Sequence, residues 1–264
     1  MSLKNTSINK YPASDCAREI PRLQFDALVA HTGLTHGVFT RRGGVSRPPY
    51  DSLNVSFNTG DLHDHVSQNL SLIREKVGAR RILYMNQVHG ADIIALHMED
   101  YSDPGVCSAD AIITDIPLLG IMVKQADCQG VIIYDAVKSV VAAVHCGWRG
   151  NVQDILGAVV GRMRSEFGCD PEDMKAAIGP SLGPCCAEFK TYRDIFPEEF
   201  SGFIVRDSHF NLWDISRMQL SRAGIIKENI EISGICTKCN TDLFYSFRGE
   251  GNTGRFGTVA MLKE

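Results

Sequence analysis

The stretch VIIYDAVKSVVAAVH, residues 131–145, limits the fold more than any other part of the chain. VIIYD and SVVAAVH are apolar and rich in β-branched residues, and only Ala136, Val137 and Lys138 divide them. A parallel crossover needs a dozen or more residues, so the two runs have to pair as an antiparallel hairpin. If Asp135 pairs with Ser139, the far end of the ladder sets Cys128 opposite Cys146, one step from His145. Side chains alternate between faces, so Cys146 points away from His145. Cys128 shares the face of His145 if the register moves by one residue, a shift that a bulge at Gly130 would supply.

A thiolate and an imidazole brought together recruit zinc, and a catalytic zinc has three protein ligands and one open position. NQVHGAD, residues 86–92, offers His89 as the third ligand, at the end of an expected strand. His63 and His65 lie in a polar stretch and read as solvated surface. The plain alternative makes Cys128 and Cys146 small buried hydrophobes and His145 a partner of backbone groups. Spacing alone leaves both readings standing. Trp148 reads as packing. Arg149 sits just before a helix that Asn151 is placed to cap, where free N–H groups and the helix dipole favour an anion; a salt bridge to a nearby acid is the competing role.

The remaining sequence frames this hairpin. At 264 residues a chain can bury about three quarters of its unfolded surface without disulfides. The nine cysteines form an odd set with no export signal before them, so they read as mostly reduced thiols in a cytoplasmic protein. A net charge of -4 with dispersed Lys and Arg argues against a nucleic-acid partner, and no apolar run is long enough for a membrane partner. Residues 61–78 place Val66, Leu70, Ile73 and Val77 at helical spacing before Gly78. Residues 151–168 place Val152, Ile155, Leu156, Val159, Val160, Met163 and Phe167 on one helical face. Strands are expected at 35–40, 82–88, 92–96, 119–123, 131–134, 140–144, 230–235 and 257–262. Helices interspersed irregularly among them favour a single-domain α+β fold with a mixed sheet over residues 21–264, preceded by a loosely attached arm at 1–20.

Eight motifs then occur in one order: TRRGGVS (40–46), PYDSLNVSFNTGD (49–61), NQVHGAD (86–92), SADAIITD (108–115), QADCQGVIIYD (125–135), AAVHCGWRG (142–150), IGPSLGPCCAEF (178–189) and NTGRFG (252–257). As a set they resemble the YfiH-like family, also called laccase-domain, purine nucleoside phosphorylase-like or peptidoglycan editing factor, over roughly residues 34–262. The resemblance implies a mixed α/β sandwich with a cysteine-hydrolase-like fold. It also implies a metal, zinc or alternatively copper, on His89, Cys128 and His145. Many members carry Thr, Pro and Ala where this chain has Gln125, Gly130 and Cys146. None of these departures removes a ligand.

Activities the resemblance implies are phosphorolysis of adenosine, inosine and methylthioadenosine, adenosine deamination, polyphenol oxidation, and hydrolysis of UDP-MurNAc-L-serine. Deamination needs a metal-activated water and a proton shuttle, for which Asp127 and Asp92 are candidates; on an extended strand Asp127 would instead turn away and anchor a loop. The zinc-deaminase signature H-x-E with P-C-x-x-C is absent. Phosphorolysis needs phosphate held by guanidinium forks, and Arg42, Arg149 and Arg255 are the candidates. Gly43 and Gly44 would let backbone approach a ligand, and Asn54 lies in the second motif as a further substrate-binding candidate. Phenol oxidation by several coppers is the weakest option, because such oxidases carry several H-x-H pairs and this chain has one, His63 and His65. Two further readings remain. One is amidase action, with the metal water or with Cys128 as nucleophile and His145 as base. The other is a non-catalytic module with a structural site on Cys185, Cys186, Cys236 and Cys239.

Overall fold

A computed structural model describes residues 19–99, 101–105 and 107–264. The arm expected over residues 1–20 falls outside them up to residue 18, and Ile20 is buried. Two sheets carry the fold. The five-stranded sheet has the order β1 (Arg22–Leu23), β2 (Leu34–Phe39), β13 (Phe256–Leu262), β6 (Leu119–Gln125) and β3 (Arg81–Tyr84). The six-stranded sheet has the order β12 (Ile230–Ile232), β9 (Met174–Ile178), β7 (Gln129–Asp135), β8 (Val140–Cys146), β5 (Ala111–Thr114) and β4 (Ile93–Leu96). A small ribbon pairs β10 (Ile204–Arg206) with β11 (His209–Phe210).

Both large sheets mix parallel and antiparallel pairs, and their inner faces share one apolar core. Val38, Ile121, Val123 and Ala260 from one sheet pack with Ile112, Ile132, Val141 and Ala177 from the other. The outer face of the six-stranded sheet is covered by the helices Ile155–Phe167 and Leu212–Arg222. Ile73 and Val77, from the helix His63–Val77, join a core cluster with Met122 and Val259 of the five-stranded sheet. This layered α/β sandwich agrees with the expected fold class.

Local chemistry accounts for the boundaries. Gly78 closes the helix His63–Val77 in the left-handed conformation (φ 74°), where glycine carries no Cβ penalty. The expected second helix is broken. A short turn of helix, Trp148–Val152, precedes Ile155–Phe167, and Asp154 rather than Asn151 caps the latter, accepting from the Gly157 N–H. Asn151 is fully buried and donates to Ser216 Oγ and Gln219 Oε1, both at 2.9 Å, so its amide ties the helix Leu212–Arg222 to the short helix Trp148–Val152. β5 and β9 are absent from the expected strands. Both are short and largely buried, so they lack the alternation that marks a strand with one wet face.

The β7–β8 ladder pairs Asp135 with Val140 and runs without interruption to Gln129 opposite Cys146. The turn therefore holds four residues, 136–139, and supplies the one-residue shift. Gly130 carries no bulge. It faces His145 in the ladder, and a Cβ there would stand 2.5 Å from both Gln125 Nε2 and Thr258 Oγ1, atoms of the opposing sheet.

His36 in β2 is 1% exposed, and its Nε2 accepts the Phe25 N–H at 2.9 Å, so it is buried as the neutral ring. Burial, helped by the charge of Arg22, lowers its pKa from 6.5 to about 4. An unfolded chain takes up this proton below its ordinary pKa and the folded chain resists until near 4, so acidification from pH 7.5 to 5 favours unfolding by about 2 kcal/mol through this group. His36→Gln keeps an acceptor that does not titrate. Urea unfolding at the two pH values is expected to show it losing about 2 kcal/mol less than the parent chain over that interval.

Candidate metal centre

His89, Cys128 and His145 come together, with their ligating atoms all within 4.8 Å of one another. Three separate pieces of backbone deliver them. His145 is the penultimate residue of β8, Cys128 immediately precedes β7, and His89 stands in a tight turn after β3. The strand expected to carry His89 ends at Tyr84, and His89 itself is left-handed, with φ 60°. Such a backbone is costly for a residue with a Cβ and persists only when its surroundings hold it.

The holder is Asp110, which is fully buried just ahead of β5. Its carboxylate accepts the N–H groups of His89 (3.0 Å) and Gly90 (2.7 Å), and the Nδ1–H of His145 at 2.8 Å. The His145 N–H also donates to the Asp110 carbonyl at 2.7 Å. One side chain thus fixes the turn that carries one imidazole and the tautomer of the other, leaving Nε2 of His145 for the cluster. Burial works against ionisation of Asp110, but the His145 contact and the turn amides outweigh it and lower its pKa.

Gly147 completes the assembly. A Cβ at this position would lie 3.0 Å from Cys128 Sγ and 3.4 Å from a His89 ring carbon, so the chain leaving β8 passes the cluster only because it bears no side chain. Burial opposes ionisation of Cys128, yet His145 and His89 together push its thiol down to about 6. Burial likewise opposes the charge on His145, and the Cys128 thiolate and Asp110 raise its pKa to about 9. Without a metal the pair is poised as thiolate and imidazolium; a metal would take the ionised sulfur and displace the proton from Nε2 of His145. Two imidazole nitrogens and one thiolate fit a borderline-soft divalent ion with a position left open. Cys146 faces the other way, is buried, and has its thiol pushed far up by burial; it is not a competing ligand.

A cavity of about 500 Å³ opens onto the cluster. Arg149 and Arg255 line it, and Arg248 does as well. Arg149 lies inside the short helix rather than ahead of a capped one, with its guanidinium 4.4 Å from the Trp148 ring centre. Arg255 is anchored by its own backbone N–H to Asn54 Oδ1 (2.9 Å). Asp127 also reaches the lining, but its carboxylate accepts from Thr237 Oγ1 and Ser246 Oγ, each at 2.7 Å, and from the Arg248 N–H at 2.5 Å. Those bonds tie two loops to the residue before Cys128.

Other candidates fall elsewhere. Arg42 lies in a separate shallow depression, held to the Asp242 carboxylate at 3.0 Å and to the Asp242 carbonyl. Gly43 and Gly44 approach protein backbone, at Glu19 and Ser52, rather than a ligand space. Asn54 is fully buried and spends its amide on Ser56, Thr59 and Asp61. Asp92 is exposed and does not line the cavity. His63 lies against Phe57, with ring centres 4.5 Å apart and tilted by 32°, and His65 pairs with Asp61, so these two histidines serve the helix start. Sequence reasoning passed over Asp110 and Lys124. Lys124 lines the cavity at the end of β6, where burial lowers its amine to about 8; a lysine closing the apolar run LGIMV was the available signal.

Asp110→Asn offers one acceptor oxygen where the turn and the ring need two. Metal titration of the folded variant is expected to show affinity reduced by roughly 10–100-fold, with a near-native circular dichroism spectrum.

Known proteins similar to this chain share its fold. Residues 35–263 match the sequence profile of the family described as multi-copper polyphenol oxidoreductase laccase. A purine nucleoside phosphorylase of Bacteroides thetaiotaomicron is 30% identical over 91% of this chain and 96% of its own length. Purine nucleoside phosphorylase YfiH of Escherichia coli is 32% identical over 84% of this chain and 91% of its own. Among solved structures, YlmD from Geobacillus stearothermophilus superposes with a TM-score of 0.83 at 29% identity, covering 95% of this chain and 98% of that one. The chain therefore belongs to the multi-copper polyphenol oxidoreductase laccase family, together with the YfiH and YlmD proteins.

Proposed function

We propose that this protein is a zinc-dependent enzyme of purine nucleosides that cleaves adenosine, inosine and methylthioadenosine with phosphate and deaminates adenosine with water. The observation that carries the reading is the junction of an ion-binding cluster with an arginine-lined cavity of about 500 Å³. That volume lies in the range of small-molecule sites. Trp148, Phe189 and Phe247 line it beside the arginines, giving apolar faces for a purine. A divalent ion held by His89, Cys128 and His145 supplies Lewis acidity and lowers the pKa of a water that reaches it.

The chain's own residues supply binding and proton transfer. In phosphorolysis, Arg149 and Arg255 hold phosphate so that one oxygen attacks ribose C1′. The C1′–N9 bond breaks, and the base leaves with the electron pair and takes a proton. Lys124 Nζ, whose amine burial lowers to about 8, is the donor at the wall. In deamination, a water oxygen adds at C6 while one of its protons passes to N1, then the C6–N6 bond breaks and the second water proton leaves on that nitrogen as ammonia. Relatives named purine nucleoside phosphorylase support the choice of substrate class.

A second reading is favoured by the ion-binding cluster itself. Cys128, His145 and Asp110 form a thiolate–imidazolium–carboxylate series, with 2.8 Å between the last two, which suits attack of the Cys128 sulfur on an amide carbonyl such as that of UDP-MurNAc-L-serine. Oxidation of phenols by coupled coppers has less to stand on. Among the described residues the clusters able to hold an ion are His₂Cys and Cys₄, neither of them a histidine-rich multicopper set.

Mass analysis of products from zinc-loaded protein and adenosine separates these. Adenine and ribose 1-phosphate are expected only when phosphate is added, and inosine with or without it; His89→Ala is expected to remove both. Arg149→Ala is expected to raise KM for phosphate by about tenfold while sparing deamination. Unchanged adenosine together with serine release from UDP-MurNAc-L-serine would transfer the assignment to the amidase.

A further inference from the structure

We infer that Cys185, Cys186, Cys236 and Cys239 form a second, structural zinc site, separate from the His89–Cys128–His145 centre. All four sulfurs lie within 4.8 Å of one another, and Cys239 Sγ is 3.6 Å from both Cys185 Sγ and Cys186 Sγ. Four sulfurs on a tetrahedral zinc, each about 2.3 Å from the ion, stand about 3.8 Å apart. Two of the six separations already match that spacing, and none exceeds 4.8 Å.

Topology produces this meeting. β9 and β12 run parallel, and the chains beyond them stay side by side: Ser181 bridges Cys236, the Ser181 N–H donates to the Ile235 carbonyl, and the Thr237 N–H returns to the Ser181 carbonyl. The turn Gly183–Cys186 then sets the vicinal cysteines against the C-x-x-C loop. Gly183 passes so close that a Cβ would stand 2.9 Å from the Cys236 Cβ and 2.8 Å from the Trp213 ring. Backbone N–H groups of Gly183 and Cys239 point at the Cys236 sulfur, a donor arrangement suited to a thiolate.

Packing does not explain the cluster. Cysteines that serve as small hydrophobes are buried, whereas Cys185 and Cys239 are exposed. Four sulfur donors in tetrahedral array select zinc or iron, and zinc needs no redox partner. On binding, the four thiols release their protons to solvent and the site carries a net charge of about -2. Its place suggests its use. The first loop carries Leu182 and Phe189 into the cavity wall, and the second holds Asp127 through Thr237. An ion on the four sulfurs would pin both loops at the rim of the catalytic cavity without touching substrate.

The test is elemental analysis of protein purified under reducing conditions, loaded with zinc and freed of excess metal. The intact chain is expected to hold two zinc ions, and the folded His89→Ala/His145→Ala double variant one. X-ray absorption of that remaining zinc is expected to show four sulfurs, and cobalt put in its place should give the intense visible bands of a tetrahedral thiolate site. Cys239→Ser, or Cys185→Ser if the first does not fold, is expected to lose this ion and melt at a lower temperature. A folded double variant that retains no zinc overturns the inference, as does a retained ion without a four-sulfur shell. Failure of the nucleoside reaction would leave this site untouched, because its evidence is metal content and ligand type.

Discussion

One buried carboxylate, Asp110, holds the candidate centre together. It is fully buried, and its oxygens are committed to the His145 ring and to the turn amides of His89 and Gly90. A charge in that position is tolerable because every partner is a donor. Charge-assisted bonds of this kind are stronger than neutral ones, and they compensate the left-handed backbone at His89. The two histidines are far apart in sequence and sit on different pieces of backbone, yet their relative position depends on one side chain. Asp110 also completes the electrostatics, since the raised pKa of His145 and the lowered pKa of Cys128 support each other across the cluster.

The hairpin made part of this legible in advance. Turn length is a property of the sequence, so antiparallel pairing of β7 and β8 and the convergence of a thiol with His145 follow from the chain alone. Which thiol converges depends on a single residue of register. Asp135↔Val140 places Gly130 opposite His145 and Cys128 on the same face two residues earlier. A turn of three residues would have sent Cys146 and Cys128 to the same ladder position instead. That choice rests on backbone geometry at Ser139, whose φ is 54°, and no periodicity reports it.

Other features were illegible for different reasons. Asn151 has the residue type of an N-cap and the position of one, yet it is consumed by Ser216 and Gln219 from a helix more than sixty residues away in sequence, so tertiary bonding displaced local propensity. Arg42 beside two glycines resembles an anion loop, but Asp242 neutralises it and the glycines are there to pass protein backbone. Asp110 offered no signal of its own, since its importance lies in four donors reached only through the fold. Local pattern reports on elements, whereas partners at long range decide which polar residues are structural.

Gln125 and Gly130, two of the departures from the pattern this chain resembles, are packed against each other. Both lie where the two sheets approach beside the centre, and Gln125 Nε2 donates to Thr258 Oγ1 at 2.5 Å across the space a Cβ at position 130 would fill. A threonine at 125 would be shorter, leaving room for a ring at 130; the longer amide and the missing side chain are therefore complementary. Because Gly130 pairs with His145, the volume exchanged lies directly behind a proposed ligand. The ladder runs in register past this point, so β7 and β8 deliver Cys128 and His145 to the same side. The fit between the residues at 125 and 130 is thus part of what sets the geometry of the centre.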